Sequence, residues 1–160
     1  MRARTELSEM PPVFTVEEVN GMANITFYTD IQPVERGEET AYSAIAWTMT
    51  CPWTSSLQKR IESNLEAWLS KAKELCTAEA AAKVRAERNE LLASTDAQVA
   101  LDRLGLEVPE GNTFTVWLSF LSNLGKALVG SWAVYRQKLR DIPAQPGFPF
   151  DVKWPEKPAE

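Results

Sequence analysis

The chain has no histidine among its 160 residues, only two cysteines, and no apolar run near the roughly 20 residues that span a bilayer. Without histidine the commonest general base, the usual metal ligand and the Ser-His nucleophile pair are all missing. Cys51 and Cys76 stand far apart with no C-x-x-C spacing. A zinc site needs about four ligands, so neither a metal nor a cofactor is expected. Two free, partly buried thiols in a reducing cytoplasm are the reading taken. Glycine is sparse, and none precedes a Lys-Ser or Lys-Thr pair, which leaves no phosphate-cradling loop. Positive charge is in deficit: 17 Lys and Arg face 22 Asp and Glu, a net charge of −5. With a pI near 5.0 this disfavours a nucleic-acid binder, which would carry a basic patch. The basic clusters at Lys83, Arg85 and Arg88, and at Arg136, Lys138 and Arg140, read as solvated helical faces. The opening MRARTELSEMPP has basic residues but no apolar core behind them, so it does not read as a secretory signal.

Proline and aromatics, by contrast, are concentrated at the C-terminal end. In SWAVYRQKLRDIPAQPGFPFDVKWPEKPAE, residues 131–160, a basic aromatic helix gives way to a segment with five prolines. Each proline fixes φ and removes a donor, and the residue before it is pushed towards extended geometry, so the helix should not pass Ile142. Phe148, Phe150, Val152 and Trp154 fall on alternate positions, and an extended segment would show all four on one side. Such a segment either folds back on its own domain or docks on another protein, and periodicity leaves both open.

The fold class expected is α+β, mostly α. An N-terminal β module is placed at 1–53, with residues 1–12 as a loose leader. Asn20-Gly21 is a strong turn pair, and strand character at 13–16, 22–31 and 41–51 suggests a small antiparallel sheet of two or three strands. Residues 32–40 read as a loop. A long linking helix is placed at 54–93, because no glycine or proline occurs between Thr54 and Gly105. Within it Ile61, Leu65, Trp68, Ala72 and Leu75 recur at heptad spacing. Ile61, Leu65, Trp68 and Leu75 are therefore the candidate oligomerisation residues. A helical module at 94–142 follows, with Ser94-Thr95-Asp96 capping a short helix AQVALDRL, and then the extended tail at 143–160. Val116, Phe120, Leu121, Leu124 and Leu128 share one helical face beside Trp117. Trp132, Tyr135, Arg136 and Leu139 share another.

Paired acids at Glu17-Glu18, Glu38-Glu39 and Asp102-Glu107 could in principle supply acid and base. They fall in turns or on polar faces with no apolar burial to separate their pKa values, so they read as solvated surface. No catalytic residue is assigned, and the chain is not expected to be an enzyme.

One long composite motif stands out. It is W-x-x-Y-R-Q-x-L-R-D-I-P-x-Q-P-G-F-P, from Trp132 to Pro149, followed by V-x-W-P-x-x-P, with Val152, Trp154, Pro155 and Pro158. Upstream, R-x-x-R-x-x-L-L-x-x-[ST]-D is matched by Arg85, Arg88, Leu91, Leu92, Thr95 and Asp96. Together these resemble the phage tail assembly chaperone family over nearly half of the chain. One departure is clear: Ala97 stands where a tryptophan is common, and a helical stretch up to Leu128 is inserted. The resemblance implies a non-enzymatic phage or prophage tail assembly factor, resident in the bacterial host cytoplasm or in the virion tail. It would bind a tail-fibre or baseplate protein, with no nucleic acid, membrane or cofactor. Trp132, Tyr135, Arg136, Arg140, Phe148, Phe150 and Trp154 are the residues assigned to partner contact. The alternative is a structural component of the tail tip or fibre, a dimer or trimer joined through the heptad helix.

Overall fold

The computed structural model describes residues 1–36, 39–99, 108–111, 113–128 and 130–158. The chain divides into two compact units, Met1–Ala80 and Ala81–Glu160, and the fold is α+β.

The first unit is a four-stranded antiparallel sheet covered by helix. Its strands are β1 (Arg2–Leu7), β2 (Phe14–Val19), β3 (Met22–Arg36) and β4 (Glu39–Pro52), in the order β1-β4-β3-β2. Asn20 and Gly21 join β2 to β3 with φ of 52° and 76°, the positive values that a two-residue hairpin turn demands. Ala23, Ile25 and Phe27 alternate along β3 and are buried. Helix α1 (Leu57–Ser63) lays Leu57 and Ile61 against them. The first turns of α2 (Leu65–Ser94) add Leu65, Trp68, Leu69 and Ala72. Burying side chains such as Ile25, Phe27, Leu57 and Ile61 contributes about 1.5–3 kcal/mol each, so this face is what holds the sheet.

Three expectations are corrected here. The leader is not loose: residues 2–7 pair with β4, from Arg2↔Trp47 to Leu7↔Tyr42. Its charged Arg2, Arg4 and Glu6 hide the signal, but they suit an edge strand, where charge discourages further pairing. The sheet therefore has four strands rather than two or three. The expected loop at 32–40 is largely ladder, with Gln32↔Ser43 through Arg36↔Glu39 paired beyond a bulge. Pro33 is tolerated because β2 stops pairing at Phe27, leaving β3 an edge there.

The long helix is also interrupted. Asn64 leaves helical geometry at φ −149° and ψ 51°, so α1 and α2 are separate. Asparagine competes for local backbone hydrogen bonds and favours such breaks. The heptad members Leu65, Trp68 and Ala72 face the sheet, but the next inward residue is Cys76, whose thiol donates to Thr48 O at 3.4 Å. Leu75 is exposed. A straight helix on a sheet follows 3.6 residues per turn, and the 3.5 seam drifts off its face.

The second unit contains the end of α2, a 3-10 turn (Asp96–Val99), α3 (Phe114–Leu128), α4 (Ser131–Arg140), a 3-10 turn (Ile142–Ala144) and an extended strap. The expected helix AQVALDRL lies mostly outside the described residues, which resume at 108. Helix α4 has Gly130 at its N-cap and stops before Pro143, with Lys138 and Arg140 in its last turn. Cations there oppose the negative helix end.

Candidate functional site

The motif residues of the second unit meet around the C-terminus of α2. A helix end leaves carbonyls without intrahelical partners. Here Thr95 Oγ1 lies 3.0 Å from both Leu91 O and Leu92 O as a donor. Arg136, from the middle of α4, donates through Nη1 to Leu92 O at 2.6 Å and to Thr95 Oγ1 at 2.9 Å. Its Nη2 donates to Asp96 Oδ1 at 2.7 Å. The guanidinium thus caps α2 and ties α4 to it. Arg136 is 8% exposed and Thr95 2%, whereas the Asp96 carboxylate is largely in solvent. Burying a cation is tolerable only with such partners. Reading Arg136 as part of a solvated cluster is corrected accordingly: the i, i+3, i+4 spacing that buries Tyr135 and Leu139 carries it inward too.

Beside this clamp, Tyr135, Leu139 and Ile142 form a buried cluster with Val84, Leu91 and Leu92 of α2. Trp132 meets Tyr135 edge to face at 6.0 Å. The strap completes the cluster. Phe148, Val152 and Trp154 pack on it, with the Arg85 guanidinium 5.3 Å over the Phe148 ring and the Lys157 ammonium 5.7 Å over Trp132. Gln145 holds the strap by its side-chain amide, which donates to Lys153 O at 2.9 Å and accepts from Lys153 N–H at 2.8 Å. This reproduces one rung of a β-ladder with a side chain. Gly147 is required at the turn: a Cβ there would lie 2.1 Å from Asp151 O, a main-chain atom.

The choice left open by the sequence therefore falls towards folding back, with one correction. Phe150 does not share the face of Phe148, Val152 and Trp154. Residues 146–150 form a turn, closed by Phe150 and Asp151 N–H groups on Gly147 O, and alternation applies only to extended chain. Phe150 is left exposed. Of the other residues assigned to partner contact, Arg140 is exposed, Trp132 and Trp154 are half-buried, and Tyr135 is buried. Of the oligomerisation set, Ile61, Leu65 and Trp68 pack within the first unit's core and Leu75 is exposed.

Sequence reasoning missed the Arg136–Thr95–Asp96 clamp and the Gln145–Lys153 rung. The first joins residues about 40 positions apart, which no local pattern reveals. Its only signal was that both ends lay inside quoted motifs. Among the described residues no three His, Cys, Asp or Glu side chains gather as metal ligands. Glu17 and Glu18 are exposed, while Glu38, Asp102 and Glu107 lie outside the described side chains. No described helix is long and apolar enough to cross a membrane.

No curated protein and no solved structure matches the chain. A family model does, that of the phage tail assembly chaperone protein, over residues 81–159. The match begins where the second compact unit begins and contains every residue of the clamp, the cluster and the strap. Through that unit the chain belongs to the phage tail assembly chaperone family.

Proposed function

We propose that this chain is a non-enzymatic tail assembly factor whose second unit binds a tail-fibre or baseplate protein. One observation carries the reading. The family's signature residues are consumed in building a closed unit, with Arg136 and the strap turned inward, and that unit still keeps Arg140 and Phe150 exposed and Trp132 and Trp154 half-buried. Aromatic side chains and arginine are the residue types that most often anchor protein interfaces. The inward residues fix the geometry, and the outward ones make the contact.

Removing residues 143–160 would be a poor test, because Phe148, Val152 and Trp154 belong to the core of the unit. Exposed single substitutions serve better. Phe150→Ala and Arg140→Glu should retain wild-type circular dichroism while weakening capture of a co-expressed tail-fibre or baseplate protein of the same phage at least tenfold. Unchanged capture of every such protein by both variants would overturn the proposal.

A further inference from the structure

Helix α3 is an apolar helix with most of its apolar surface uncovered. At 3.6 residues per turn, Phe114, Val116, Trp117, Leu118, Phe120, Leu121 and Leu124 spread over more than half of its circumference. Thr115, Ser119, Ser122, Asn123 and Lys126 take the remainder. Phe120 and Leu124 are half-buried, but Phe114 is 77% exposed, Leu118 55% and Leu121 56%. Contiguous apolar exposure of this kind marks an interaction surface. It lies in the inserted stretch between the two family motifs, and it shares no residue with the set invoked above for the tail protein.

We infer that α3 is a self-association helix, covered by α3 of a second copy of this chain. The charge pattern selects the occupant. Across Phe114–Leu128 there is no acid and a single base, Lys126, so the covering surface must itself be apolar and uncharged. A second α3 supplies that surface by construction, and the same patch on both subunits is what a two-fold interface requires. The spacing agrees. Phe114, Leu118, Leu121 and Gly125 recur at four, three and four residues, the repeat of a helix–helix seam. At Gly125 a Cβ would meet nothing within 4 Å, so a neighbouring helix has room to approach closely. The one polar side-chain group on that face, the Trp117 indole N–H, is satisfied within the chain by donating to Gly111 O at 2.8 Å. A lipid surface fits less well, since interfacial helices border their apolar face with Lys and Arg, and this chain carries a net charge of −5.

Two such faces would bury on the order of 1,000 Å² together, the low end for a specific interface, so the dimer should dissociate in the micromolar range. Sedimentation velocity of the full chain from about 1 to about 100 µM should show the mass rising from monomer to dimer. Leu118→Glu and Leu121→Glu should each raise the dissociation constant at least tenfold with unchanged circular dichroism, and Leu118→Ala more modestly. Phe150→Ala, outside α3, should leave it unchanged, so failure here is separable from failure of tail-protein binding. A wild-type chain monomeric throughout would overturn the inference. So would a trimer, a dimer indifferent to both glutamates, or a monomer that binds phosphatidylcholine–phosphatidylglycerol vesicles.

Discussion

Arg136 shows how one residue can be structural while looking functional. Its guanidinium reaches Leu92 O, Thr95 Oγ1 and Asp96 Oδ1, and the three partners differ in weight. The bonds to Leu92 and Thr95 are buried, where an unmade hydrogen bond costs most. The pair with Asp96 is open to water and screened. Arg136→Lys should therefore destabilise the chain by about 1–3 kcal/mol, because an ammonium cannot span these acceptors as a planar fork does. Asp96→Ala should cost less than about 1 kcal/mol. Urea denaturation of both variants checks the order, and a larger loss for Asp96→Ala would show that the exposed ion pair dominates. None of this is legible locally: sequence spacing puts Arg136 on the Tyr135 face, but only the fold brings the end of α2 to meet it.

At the scale of elements, the strap is closed on itself by a side chain that takes the place of a main-chain partner. Its registration depends on Gln145, since both bonds to Lys153 come from one amide. Each such bond contributes about 1 kcal/mol net, so losing both in Gln145→Ala should raise the open population of the strap roughly thirtyfold. Tryptic cleavage after the exposed Lys153 reports this directly, and an unchanged rate would mean that the aromatic contacts alone hold the strap. The sequence marked this element by its prolines and aromatics. It missed the turn at 146–150, which breaks the alternation and leaves Phe150 outside. For β1 the reverse held: strand character was masked by charge, and pairing with β4 supplied what propensity did not.

For the whole molecule, the absence of histidine has a measurable consequence. No side-chain type present has an ordinary pKa between about 5 and 8. Stability should accordingly be flat between about pH 5.5 and 7, with thermal midpoints agreeing within about 2 °C. A clear slope in that window would reveal a carboxylate or thiol with a displaced pKa. The two units also divide the sources of information. The family signature lies in residues 81–159, and the first unit carries no comparable motif. Its sheet was visible through Asn20-Gly21 and the alternation in β3, both local signals.

By itself the sequence determined the α+β class, the Asn20-Gly21 hairpin, the stop of α4 before Pro143 and the family of the second unit. These depend on φ restrictions, side-chain period and motif identity, all local properties of the chain. Tertiary structure decided which charges are buried, where the strap lies, that residues 2–7 join the sheet, and that Cys76 rather than Leu75 faces it. Those outcomes depend on which distant segment completes a hydrogen bond or covers an apolar face. A one-dimensional pattern can offer such a face, but the rest of the fold chooses its partner.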